Sequence, residues 1–467
     1  MKKNKLDIQP LLNTSLGRFY LAALLATFNV LDTNAQNLNV APRLVVNITI
    51  DQLRTDYLEH FAPLYKQDGF RRLLSEGRVY EAVEYPFSPV DRASAITCIA
   101  TGTTPHYNKI IAQQWLNRKT LRPEYCVYDK HDIVSPKNIA TSTVSDELKV
   151  STNGRALVFG LAQNQDAAIL SAGHAADGAF WIDDRTSAWT TSTYYPSTAN
   201  SWIRAYNAVN NRGRKDLLND IVSDAALNCI TDNALGRDDI TDYLAVTLSA
   251  RLGNTMGQRQ EMEHVYISLD ATLGSFISGV EQKVGKDNVM FVITATGDTD
   301  EPETDYKKYK IPTGTFYINR TAQLLNMYLS AVYGSGAWVE GYFKNQIFLN
   351  HKLIEDNKIS YSEIILRSKD LLKMTAGVAD VKTSPYDTEI TGDLWIEATP
   401  GWSIFNEDTN TIYQVRTVFV PFPVIFLGSN IKAEHIDIPI TTERIAPTIA
   451  KSIHIRAPNA CSAKPLF

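Results

Sequence analysis

The sequence predicts an α/β fold with a mostly parallel central sheet flanked by helices and interrupted by inserted cap elements. Three observations carry this expectation. Short runs rich in Val, Ile, Leu and Phe recur without clean polar alternation, the composition of strands covered on both faces. Between them, apolar residues fall at helical spacing. The first run closes on a carboxylate, Asp51, and α/β sheets collect polar groups at the carboxyl ends of their strands.

In chain order, the strand-like runs are Arg43 to Ile50, Ala156 to Leu161, Tyr243 to Ser249, Asn288 to Ala295 and Val424 to Leu427. A Pro-rich turn at Pro89-Val-Asp-Arg-Ala-Ser94 opens a helix. Leu273, Phe276, Ile277, Val280 and Val284 form an apolar stripe that delivers the chain to the strand at Asn288. Ile445, Ile449 and Ile453 repeat by four near the C-terminus. Strand and helix in alternation indicate a parallel sheet, with Asp51, Ser249 and Thr296 at strand ends. Residues 107–135, 183–218 and 310–400 break the alternation and read as cap elements on a single domain spanning 37–467.

Residues 1–36 have the layout of a secretory signal: Lys2, Lys3, Lys5 and Arg18 precede an apolar run from Leu21 to Leu31, and small residues lead to Ala35 and Gln36. That run falls short of the roughly 20 apolar residues a spanning helix requires. An exported protein, periplasmic or secreted and without a membrane span, is the expectation. The formal net charge of −5 argues against a nucleic-acid partner, because phosphate contacts need a clustered basic surface. Cys98, Cys126, Cys229 and Cys461 are too scattered for a zinc motif, and their spacing leaves every disulfide pairing open.

The order of these features, together with Pro42 to Arg54, Gly69 to Gly77, Thr101-Gly-Thr-Thr-Pro105, Ser135-Pro-Lys-Asn138, Ala172 to Trp181, Asn345 to His351 and Ile445-Ala-Pro-Thr-Ile449, resembles the alkaline phosphatase superfamily. The likeness is to its periplasmic phosphomonoesterases and its type I phosphodiesterase and nucleotide pyrophosphatase branch. It implies a site of two zinc ions held by Asp and His, with a Thr or Ser nucleophile between them, because two metals stabilise the attacking and leaving oxygens together.

Transferred residue by residue, the resemblance retains only Asp51 as a metal-ligand position. The nucleophile position carries Arg92, whose guanidinium cannot attack phosphorus, and Ser94 is a weak substitute. Leu252, Met256, Thr296, Gly297 and Ile412 stand at the other ligand positions. Gln113, Asn164 and Asp166 occupy the substrate-contact positions, and Asp166 there reverses the charge of a phosphate-clamping arginine. Asp298, Asp300, Glu301 and Glu303 form an acidic loop, read as solvated rather than as a calcium site. His174 reads as structural, and none of the eight histidines makes an HxH or HxxxH pair.

These replacements imply that the zinc pair is lost and that the protein is catalytically inactive. A binding or scaffold role follows, with an envelope protein or glycan meeting Trp115, Trp181, Trp189 and Trp202. Arg92 is expected to neutralise Asp51 in place of a metal, or else to face the cleft and hold an anion. The alternative is a metal-dependent hydrolase of phosphomonoesters, phosphodiesters or sulfate esters with a rebuilt site using Ser94, Asp298 and Asp300.

Overall fold

The computed structural model describes residues 40–467 apart from 211–217, 252–258, 299–305, 307, 385, 387–389, 414–419 and 429. Residues 1–36, Leu252, Met256, Asp300, Glu301 and Glu303 therefore lie outside the described residues.

Every residue of β1 (Leu44–Asp51) is buried, as its unbroken apolar run requires. The strand sits at the centre of a ten-stranded sheet. Its other strands include β2 (Arg78–Glu84), β5 (Val158–Ala162), β6 (Gly178–Ile182), β7 (Trp189–Thr191), β8 (Asp242–Ser249), β9 (Val289–Ala295), β10 (Phe422–Gly428) and β11 (Glu434–Ile436). Between them in sequence, β3 (Gln114–Asn117) and β4 (Arg122–Tyr125) make a separate hairpin. The spatial order is β11-β2-β10-β9-β1-β8-β5-β6-β7. From β9 to β6 all pairings are parallel. Beyond that core, β10 runs antiparallel to β9 and β7 antiparallel to β6.

The helices used below are α1 (Arg92–Thr101), α2 (Val144–Ser151), α3 (Gln165–Ala172), α4 (Ser201–Asn210), α5 (Leu218–Asp232), α6 (Arg259–Val284), α7 (Ile318–Tyr333), α8 (Tyr361–Lys373) and α9 (Ile445–Ser452). The stripe from Leu273 to Val284 is the C-terminal half of α6, and Leu273, Phe276, Ile277 and Val280 are fully buried in the main core.

The stretch 310–400 builds a second core of its own. Phe316, Leu325, Trp338, Ile347, Leu394 and Ile396 pack together apart from the main cluster. They join α7 and α8 to a four-stranded antiparallel sheet in which Gln346–Leu349 and Leu394–Ala398 are central. Residues 183–218 contribute the edge strand β7 and helix α4, and so extend the sheet sideways instead of only covering strand ends. Among the described residues, no helix is long and apolar enough to cross a membrane.

Candidate active site

Parallel pairing sets the site. Asp51 stands in register with Ser249 of β8, and the preceding Ile50 with Ala295 of β9, so Thr296 emerges beside Asp51. The chain leaves β1 through Gln52 at φ +62°, a sparsely populated conformation for a side-chain-bearing residue and one that marks functional turns. This turn aims the Gln52 N–H at Thr296 Oγ1, 3.0 Å away.

Thr296 Oγ1 also lies 3.0 Å from Asp51 Oδ1 and 2.5 Å from Asp298 Oδ1. A hydroxyl has one proton to give, so the two carboxylates compete for it. Burial is the largest influence on Asp51 and raises its pKa, against the opposing pull of Arg92. Gly297 follows at φ +69°, where a Cβ would fall 2.8 Å from the Phe422 ring and 2.9 Å from that of Tyr85. Only glycine fits there.

On the other side of Asp51, α1 begins with a capping box. Asp91 Oδ1 accepts from the Ser94 N–H at 3.0 Å, and Ser94 Oγ exchanges hydrogen bonds with Asp91. Ser94 is fully buried in this cap, so its hydroxyl is structural and does not serve as the substitute nucleophile. Arg92, the first helical residue, turns its guanidinium inward and remains 12% exposed.

Its chief partner is Asp166. Nε and Nη2 donate to the two Asp166 oxygens at 3.1 and 3.0 Å, a bidentate pair, whereas Nη1 reaches Asp51 Oδ2 at 3.5 Å. The expected Arg92–Asp51 pairing is thus the longer arm of a bridge. Asp166 is fully buried in the first turn of α3, where the helix dipole favours a negative charge. Tyr125 Oη donates to it at 2.9 Å and Gln113 Nε2 at 3.4 Å. The Gln113 backbone N–H donates to Asp91 Oδ2 at 2.6 Å.

The sequence-selected residues Asp51, Arg92, Gln113, Asp166, Thr296 and Asp298 therefore form one constellation. Asn164 is the N-cap residue of α3 but makes no side-chain cap. Ile412 lies on the strand Thr411–Tyr413, paired with Phe405 and 65% exposed. Tyr125 and Asp91 complete the constellation without having been singled out, since a hairpin tyrosine and an N-cap aspartate carry no chemical signature in sequence. His174 is held by Asp146 and the Ile139 carbonyl, away from these residues.

The chain belongs to the type I phosphodiesterase / nucleotide pyrophosphatase family, whose pattern matches residues 45–420, and so to the alkaline phosphatase superfamily of phosphatase and phosphodiesterase-type hydrolases. It is 25% identical to alkaline phosphatase PafA of Elizabethkingia meningoseptica, over 96% of this chain and 98% of that protein. It is 27% identical to alkaline phosphatase PhoV of Synechococcus elongatus, over 91% and 92%. The crystal structure of wild-type PafA superposes with a TM-score of 0.79 at 24% identity, covering 91% of this chain and 98% of that one.

Two expectations are corrected by these relatives. An inactive binding or scaffold protein is overturned, because relatives aligned along nearly the whole chain are enzymes by name. A chain that needs no cofactor is overturned too, because alkaline phosphatases are a metal-dependent family. The described residues do not reproduce the paired-zinc donor set: no three His, Cys, Asp or Glu among them converge to hold a metal. Asp51 instead spends its two oxygens on Thr296 and Arg92.

Proposed function

We propose that the protein is an exported hydrolase of phosphoric esters, rebuilt around Arg92 and selective for singly charged phosphodiesters over doubly charged monoesters. Family membership along residues 45–420 supports the reaction class. The bidentate Arg92–Asp166 pair carries the selectivity. A carboxylate stands where the resemblance places a phosphate-clamping arginine; it offsets the Arg92 charge, so the site offers less positive charge to a dianionic phosphoryl group than a clamp of free cations would.

Arg92 uses three of its five N–H groups on Asp166 and Asp51, and those left over orient a phosphoryl oxygen. Asp298, partly exposed at the end of β9 beside Thr296 and Asp51, is the carboxylate assigned as general base for an attacking water, while the buried Thr296 hydroxyl holds it in place. The signal-like layout of residues 1–36 supports export.

The test assays the purified full-length chain against an aryl phosphodiester and an aryl phosphomonoester. Zinc, magnesium, manganese and calcium are each supplied, and a chelator serves as a further condition. Turnover of the diester exceeding that of the monoester is expected, with loss on Asp298→Ala. Absence of turnover of both esters under every metal condition overturns the proposal.

A further inference from the structure

A closed ring of hydrogen bonds fixes the Arg92 fork, and one member of it comes from the β3–β4 hairpin. Asp166 is fully buried and accepts from Arg92 at both of its oxygens. Its Oδ1 takes a second donor, the Tyr125 hydroxyl at 2.9 Å, whereas its Oδ2 has only the longer Gln113 Nε2 contact at 3.4 Å. Tyr125 stands in β4 opposite Gln114, and the next residue, Cys126, donates its N–H to the Gln113 carbonyl at 2.9 Å. The Gln113 N–H in turn donates to Asp91 Oδ2, and Asp91 caps the helix that presents Arg92. Helix α1, helix α3 and the hairpin are referenced to one another through this ring.

A carboxylate turns easily about its last bond, and an arginine in a bidentate pair follows the carboxylate plane. Two of the Asp166 donors belong to Arg92 itself and move with it. Tyr125 supplies the short contact that does not, so its hydroxyl sets the plane of the pair. That plane gives the direction of the Arg92 N–H groups left over for substrate. The phenol keeps its proton to donate, because burial and then the Asp166 charge raise its pKa well above the usual value.

From this ring we infer that Tyr125 is a positioning residue, acting through Asp166 to aim the Arg92 guanidinium; its part in turnover rests on the phosphodiester-hydrolase reading above. Tyr125→Phe keeps the aromatic ring and removes the hydroxyl. With the fold verified by circular dichroism, kcat for an aryl phosphodiester is expected to fall about tenfold, the worth of one hydrogen bond, with KM little changed. Added to Arg92→Lys, which has no fork to aim, the same change should leave turnover within about twofold, whereas a merely structural role would cost as much in either background. A second readout needs no turnover. In nitrogen-15-labelled full-length protein the Arg92 Nε–H resonance, assigned by its loss in Arg92→Lys, should exchange with water about tenfold faster in Tyr125→Phe. Wild-type kcat in Tyr125→Phe, or an equal loss in the Arg92→Lys background, overturns the inference. Unchanged Nε–H exchange overturns it whether or not turnover is found; a wild type that hydrolyses no ester instead sinks the hydrolase reading and leaves the exchange result to decide the role of Tyr125.

Discussion

Asp166 is fully buried and Arg92 largely so, and each is the other's chief partner. Removing one leaves an uncompensated charge, which typically costs 3–5 kcal/mol, whereas removing both costs far less. Arg92→Ala is therefore expected to destabilise the protein by about 4 kcal/mol, and Arg92→Ala with Asp166→Ala by clearly less than the sum of the single changes. Urea unfolding of the four proteins in a double-mutant cycle checks this, and additive costs would show the pair to be uncoupled. A second buried pair makes a pH prediction. His174 Nδ1 and Nε2 face the Asp146 carboxylate and the Ile139 carbonyl, both acceptors, so the ring is held as imidazolium. Burial opposes its charge, but the Asp146 hydrogen bond prevails and the His174 pKa is raised. Burial likewise opposes the Asp146 charge, and the His174 hydrogen bond prevails to lower its pKa. A raised histidine stabilises fully below its unfolded value of about 6.5 and loses that contribution as pH climbs through the folded value; a lowered carboxyl loses its contribution as pH falls below about 4. The wild-type advantage in melting temperature over His174→Ala should accordingly be greatest between about pH 4 and pH 6.5, and shrink toward pH 9. An advantage that grows with pH would contradict the assignment.

At the scale of elements, the β3–β4 hairpin joins the two cores. Its base supplies Gln113 and Tyr125 to Asp166. Its tip carries Arg118, which donates to Asp393 at 3.0 Å, Glu340 at 2.6 Å and the Leu349 and Thr391 carbonyls. Asp393 is fully buried and also bonded to His351 and Tyr361. Arg118→Ala should cost about 3 kcal/mol. It should also raise amide hydrogen exchange in residues 114–125 and 394–398, while α6 stays protected; unchanged exchange in the hairpin would show that Arg118 does not tether it. Central strands were legible in sequence because a strand buried on both faces must be apolar throughout: Arg43 to Ile50 anticipates β1, and Asn288 to Ala295 anticipates β9. The strand β2 escaped that reading because exposed Glu81 and Glu84 break its apolar run. Asp51, Thr296 and Arg92 were legible as site residues from their places at strand ends and at the turn before α1. That Arg92 grips Asp166 before Asp51 was not, since their meeting depends on how α1 and α3 pack, and local sequence does not encode that.

For the molecule as a whole, an α/β sheet shared with alkaline phosphatases supports a site in which charges have been redistributed. A guanidinium stands at the nucleophile position and a carboxylate at the phosphate clamp, while the carboxylate at the end of the first strand persists. The second core above residue 310 packs apart from the main cluster. In the proposed reaction, Arg92 orients a phosphoryl group for hydrolysis. The most direct measurement is kcat/KM for an aryl phosphodiester with the wild type and with Arg92→Lys, which retains the charge but loses the bidentate fork. Measurable wild-type turnover and a fall of at least tenfold in the variant are expected, with the folded state verified by circular dichroism. Equal turnover in the two proteins would contradict that role.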